Sequence, residues 1–84
     1  QQYLFIMNSS FFQKRAEALV SRLIRESETN EDRINRAYQL LYNRLPSDGE
    51  RETGLEFLSK VDFEPGWQQY AQALLGSEEF RYIE

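Results

Sequence analysis

Thr29-Asn30-Glu31-Asp32-Arg33-Ile34-Asn35-Arg36-Ala37-Tyr38-Gln39-Leu40-Leu41-Tyr42-Asn43-Arg44-Leu45-Pro46-Ser47-Asp48-Gly49-Glu50 is the stretch that decides the fold. One helix opens and closes in it, and a second begins. Ile34, Ala37, Tyr38, Leu41 and Leu45 recur at helical spacing and form one apolar stripe. Thr29 or Asn30 caps the start, and Glu31 and Asp32 suit the positive N-terminal end. Asp32 and Arg36 stand in the favourable i,i+4 order for an ion pair. Pro46 ends the helix near Arg44, because the residue before proline is pushed out of the helical region. Ser47 with Glu50 three positions later is a capping box that starts the next helix.

The same periodicity extends in both directions. Upstream, Phe12, Ala16, Leu19, Val20, Leu23 and Ile24 share one face of a helix from about Phe11 to Ser27. Residues 1–7 resemble the last turns of an earlier helix, with Asn8 as its left-handed stop and Ser9 or Ser10 as the following cap. Downstream, the capped helix runs to about Lys60 and buries Leu55 and Leu58, with Phe57 and Val61 as further candidates. Gly54 inside it costs about 1 kcal/mol relative to Ala. A neighbouring helix or aromatic ring in close approach would explain that glycine. Val61–Gly66 is a loop, with Pro65 suited to the first turn of a last helix. That helix carries Trp67, Tyr70, Ala71, Leu74 and Leu75; Gly76 stops it, and Ser77 caps a short final turn. Phe80–Ile83 suits either that turn or an extended tail. No segment alternates with period two. The expected fold is all-α: a small bundle of four main helices, with short helical segments at both ends.

The chain has 84 residues, which suits one helical domain over residues 1–84 with a modest core. Six Phe, five Tyr and one Trp supply enough aromatic area to build it. The chain opens on Gln1-Gln2-Tyr3 within an apolar segment, so it reads as a fragment of a larger multidomain protein. The net charge of −4 argues against nucleic acid as a partner, including a helix-turn-helix mode of binding. No apolar run approaches the roughly 18 residues of a membrane span.

The chain has no His and no Cys. That removes Cys–His and Ser–His–Asp nucleophile systems, ordinary zinc sites and covalent haem attachment. No catalytic, cofactor-binding or metal-ligating residue is therefore expected. Carboxylates at Glu50, Glu52, Glu56, Asp62, Glu64, Glu78 and Glu79 could serve acid–base work or a hard cation, but caps and solvated surface are their ordinary use. Two or more of Glu50, Glu56, Glu78 and Glu79 meeting in a cleft would point to an enzyme subdomain. Asn8, Ser9, Asn30, Ser47, Glu50, Gly76 and Ser77 are read as structural caps, although Asn8-Ser9-Ser10 also spells a glycosylation triplet. Arg15, Arg22 and Arg25 share one side of their helix, with Lys14 near. This is either a site for an anionic partner or a solvated face balanced by Glu17 and Glu26. Arg44 suits the negative end of its helix and could also reach Glu50 or Glu79. Trp67 and Tyr70 are core positions. Tyr3, Phe5, Phe11 and Tyr82 either close the bundle or form a docking surface.

Several blocks in fixed order resemble a known family. They are Leu4-Phe5-Ile6-Met7-Asn8-Ser9, Arg33-Ile34-Asn35-Arg36-Ala37-Tyr38, Arg44-Leu45-Pro46 with Glu50, and Ala73-Leu74-Leu75-Gly76-Ser77-Glu78-Glu79-Phe80-Arg81-Tyr82-Ile83. Together they resemble the C-terminal part of the planctomycete-specific PSD domain, a family of unknown function. Asn43 stands where the family pattern has Gly, and Gly76 where it has Asn; both exchanges keep a residue tolerated at helix ends. Tyr38 to Phe80 is more weakly similar to a secreted bacterial domain, also of unknown function. The PSD resemblance implies a long, exported or cell-envelope protein, often with a cytochrome-c-like domain elsewhere, and no catalytic residue to transfer. The expected role is a non-catalytic structural or protein-interaction module whose partner is the remainder of its parent. The alternative is an accessory helical subdomain of an enzyme whose active site lies mostly elsewhere.

Overall fold

The computed structural model describes residues 10–83, with side chains for residues 10–77. Expectations on Tyr3, Phe5, Asn8, Ser9 and the Tyr82 side chain lie outside that range. Within it the chain forms four helices and no strand: α1 Ser10–Glu26, α2 Asn30–Tyr42, α3 Asp48–Ser59 and α4 Phe63–Ile83.

Each boundary has a local cause. At α2 the cap is Thr29, in extended backbone, whose hydroxyl accepts the Asp32 N–H at 3.1 Å. Asn30 is thus not a cap but the first helical residue. The helix ends at Asn43 rather than at Pro46. Asn43 takes the left-handed conformation (φ 60°, ψ 33°) and gives its N–H to the Gln39 carbonyl. Asn tolerates that region better than most residues with a Cβ. Leu45, placed on the apolar stripe by its spacing, therefore lies beyond the helix and is 58% exposed. At α3 the capping box is complete: Ser47 Oγ accepts the Glu50 N–H, and Glu50 accepts the Ser47 N–H.

The last helix departs most from the sequence expectation. It begins at Phe63, with the Gly66 N–H bonded to the Asp62 carbonyl. It then runs unbroken through Gly76 and Ser77 to Ile83. Gly76 is no stop and Ser77 no cap, since no described glycine has positive φ. Continuing a helix through one Gly costs about 1 kcal/mol. Burial of Trp67, Ala71, Leu74 and Leu75 on the same helix outweighs that, at about 1.5–3 kcal/mol for each large side chain.

α1 and α4 lie side by side and antiparallel. Phe12 and Ala16 meet Ala71 and Leu75, while Val20 and Ser21 border Pro65 and Gln68 near the other end. Ala16 and Ala71 are fully buried, and their small side chains let the two helices approach closely. The other part of the core joins Leu23, Ile34, Ala37, Tyr38, Leu58, Trp67 and Leu74 from all four helices. Two glycines mark close approaches. A Cβ on Gly54 would stand 2.5 Å from the Tyr70 hydroxyl and 3.1 Å from Ile34 Cδ1. A Cβ on Gly66 would collide with the Val61 side chain, which folds over it. Ile24, assigned to the α1 apolar face by spacing, is 42% exposed in the last turn of that helix.

Candidate functional site

The densest polar cluster sits at the α2–α3 turn. The left-handed Asn43 turns the chain so that Arg44 lies back over α2, 5.4 Å from the Tyr38 ring centre and 5.9 Å from that of Tyr42. Its guanidinium grips Glu50 with two parallel bonds, Nη1 to Oε1 at 2.9 Å and Nη2 to Oε2 at 3.0 Å. Nη1 also donates to the Leu45 carbonyl. These bonds, with the Ser47 N–H as the next contribution, hold the Glu50 carboxyl down at about 2. The same partner raises Arg44 above its ordinary value. A carboxylate so strongly ionised is a poor proton shuttle at neutral pH. Its geometry is that of a clasp between two helices.

Beside the clasp, an open cleft of about 340 Å³ is lined by Tyr38, Gly49, Glu50, Thr53, Gly54 and Tyr70. Burial, followed by the Glu50 charge, raises the Tyr38 phenol; burial, followed by the Tyr38 charge, raises that of Tyr70. Neither phenol is made easier to ionise, so neither tyrosine is an activated nucleophile. The Tyr42 hydroxyl donates to the Leu74 carbonyl at 2.7 Å and fastens α2 to α4.

A second polar cluster joins the starts of α2 and α4. Asn30 Oδ1 accepts both Trp67 Nε1 at 2.9 Å and Arg33 Nη1 at 3.0 Å. Arg33 also donates to the Glu28 carbonyl and lies over the Phe63 ring at 5.2 Å. Sequence reading missed this cluster: an Asn before a helical run is also what a cap looks like. Arg36 does not pair with Asp32 as its spacing suggested. It reaches Glu26, ten positions back, which Arg22 also holds; the Arg22 bond, then the Arg36 bond, lowers the Glu26 carboxyl.

Among the remaining described carboxylates, Asp48 and Glu31 flank one guanidinium, that of Arg51, with Glu31 at 3.8 Å, and Glu56 pairs with Lys60. Glu52, Asp62 and Glu64 are exposed. Among the described residues no three His, Cys, Asp or Glu side chains could share a metal ion, and no helix is long and apolar enough to cross a membrane. Of the four aromatics assigned to a docking surface, Phe11 is the one whose side chain is described. It stands on the first turn of α1 and is 70% exposed, against 1% for its neighbour Phe12.

Neither the curated proteins nor the solved structures contain a match to this chain. One family does match, described as PSD1, protein of unknown function (DUF1553), over residues 1–58. The matched span takes in the α2–α3 turn with its Arg44–Glu50 clasp and ends within α3. The terminal block from Ala73 to Ile83 lies beyond it. With well over half of its length matched in this way, the chain belongs to the PSD1 family.

Proposed function

We propose that this segment is a non-catalytic protein-interaction module that docks on the remainder of a larger, exported chain, in which it forms a C-terminal part. The observation that carries this reading is Phe11, 70% exposed on the first turn of α1, where its neighbour in sequence, Phe12, is fully packed. An apolar ring of that size left in water is a cost that docking removes, at about 25 cal/mol per Å² of apolar surface covered. The chemistry of the carboxylates supports the same reading. Glu50, Glu26, Asp48 and Glu56 are each bound to a cation of this chain.

The test is binding between this 84-residue chain and the separately expressed remainder of its parent, followed by calorimetry. Phe11→Ser should weaken that binding by about tenfold or more and leave the melting temperature near wild type, because the ring packs little in the bundle. Equal binding by wild type and Phe11→Ser would remove Phe11 as the docking anchor. Absence of any binding would remove the proposal itself.

A further inference from the structure

The side of α1 away from Phe11 forms a groove with α4. Val20 follows Phe11 by nine residues, about two and a half helical turns, which sets it on the opposite side of the helix. The groove encloses about 540 Å³. Its floor is apolar: the half-buried Val20 with the exposed Ile24 and Pro65. Each wall carries one carboxylate, Glu17 on α1 and Glu64 on α4. Both are exposed, and among the described residues neither carboxylate is held by a hydrogen bond or an ion pair, unlike those of Glu26, Glu50 and Glu56. No described Lys or Arg lines the groove. By helical spacing Lys14 and Arg25 fall about a quarter-turn round α1 from Ile24, on its outer face. Gln68 Nε2 donates to the Gln13 carbonyl at 3.2 Å and ties the two walls together one turn beyond Glu17.

We propose that the α1–α4 groove is a docking site for a basic amphipathic helix of a protein partner, one apolar stripe flanked on both sides by Lys or Arg. It involves none of the surface around Phe11 and is independent of the docking at that residue. From Glu17 to Ile24 is seven residues, about 10 Å of helix, so about two turns of a visitor lie along the groove. Its apolar side chains would cover Ile24, Val20 and Pro65, in the helix-in-groove mode. The carboxylates stand on opposite walls, so the visitor needs a cation on each flank of its stripe. Those cations form new pairs without displacing any pair inside this chain, because Glu17 and Glu64 have none to lose. An acidic helix would meet like charge on both walls.

The experiment titrates the ¹⁵N-labelled chain with two helical peptides of one apolar pattern, the flanking positions filled with Lys in one and Glu in the other. The Lys peptide should bind about tenfold or more tightly than the Glu peptide, with shifts centred on Glu17–Ile24 and Glu64–Gln68, and should weaken as salt rises. Glu17→Lys with Glu64→Lys should reverse the preference and leave the melting curve near wild type, since both side chains are exposed and unbonded. The same change of charge placed on α3, as Glu52→Lys with Glu56→Lys, should leave the preference in place. Ile24→Ser should weaken the Lys peptide several-fold by removing the exposed part of the floor. Equal binding of the two peptides, no binding of the Lys peptide, or shifts centred on α2 and α3 would each overturn the proposal. So would an equal loss of preference in the two charge-reversed variants, which would mean attraction to the net charge alone, or an Ile24→Ser variant that binds like wild type.

Discussion

Replacing Asn30 by Ala should cost far more than its place at a polar break in the sequence suggests. Trp67 is 1% exposed, and its indole N–H has Asn30 Oδ1 as acceptor at 2.9 Å. Removing that oxygen leaves a buried donor unpaired, a loss of about 1–3 kcal/mol. For a domain of this size about 2 kcal/mol corresponds to a fall in melting temperature of about 8–16 °C. The helix cap contributes nothing to this figure, because Thr29 provides it. A double-mutant cycle isolates the bond. Trp67→Phe has its own cavity cost, but in that background no indole N–H remains to be stranded. Asn30→Ala should then cost only what Arg33 loses, since Arg33 Nη1 uses the same oxygen in both backgrounds. The coupling energy should be about 1–2 kcal/mol, read from urea or thermal unfolding followed by helical circular dichroism. Asn30→Asp keeps the acceptor and should stay near wild type. Additivity within about 0.5 kcal/mol would refute the bond as a stabilising link between α2 and α4.

The glycines, the left-handed turn and the clasp each give a further expected outcome. Gly54→Ala should lower stability by about 1 kcal/mol despite its better helix propensity, because the new methyl meets the Tyr70 hydroxyl. Gly49→Ala, with nothing within 4 Å, should raise stability by up to about 1 kcal/mol; a higher melting temperature for Gly54→Ala would contradict the close approach. At Asn43, Gly should match or exceed wild type and Ala should cost about 1 kcal/mol, since φ is 60° there; an unaffected Ala variant would argue against the left-handed stop. Glu50 should titrate near 2 by side-chain carboxyl NMR and move up towards its ordinary value in Arg44→Met. Its pKa is depressed in the folded state, so its contribution to stability is present above about pH 4.5 and is lost as pH falls towards 2. The carboxylate is more than a third exposed, so solvent screening keeps that contribution small.

The capping box is legible in the sequence alone, because Ser47 and Glu50 exchange bonds across three residues and need no other element. The same holds for the helical stripes built on Ile34, Ala37 and Tyr38 or on Phe12, Ala16 and Leu23. The lack of His and Cys is likewise read from the sequence alone, and it bears on which side chains are present rather than on where they meet. Asn30 shows where that legibility ends. Capping and accepting a distant indole draw on the same side-chain oxygen, and the choice depends on where Trp67 arrives, thirty-seven positions away. Arg36 likewise has a carboxylate one turn back and takes another across the α1–α2 turn.

What the sequence determined by itself was an all-α chain, the positions of most helix starts and the apolar face of each helix. These rest on backbone preferences and bonds that close within one turn. The tertiary structure alone decided that α4 continues through Gly76, that Ile24 and Leu45 face water, and that Phe11 stands exposed on α1 beside the buried Phe12. A glycine permits a stop without requiring one, and an apolar residue on a helix is buried only if another helix is laid against it. Both outcomes are fixed by how the helices pack, where the free energy of covering Trp67, Leu74 and Leu75 exceeds any preference of a single residue.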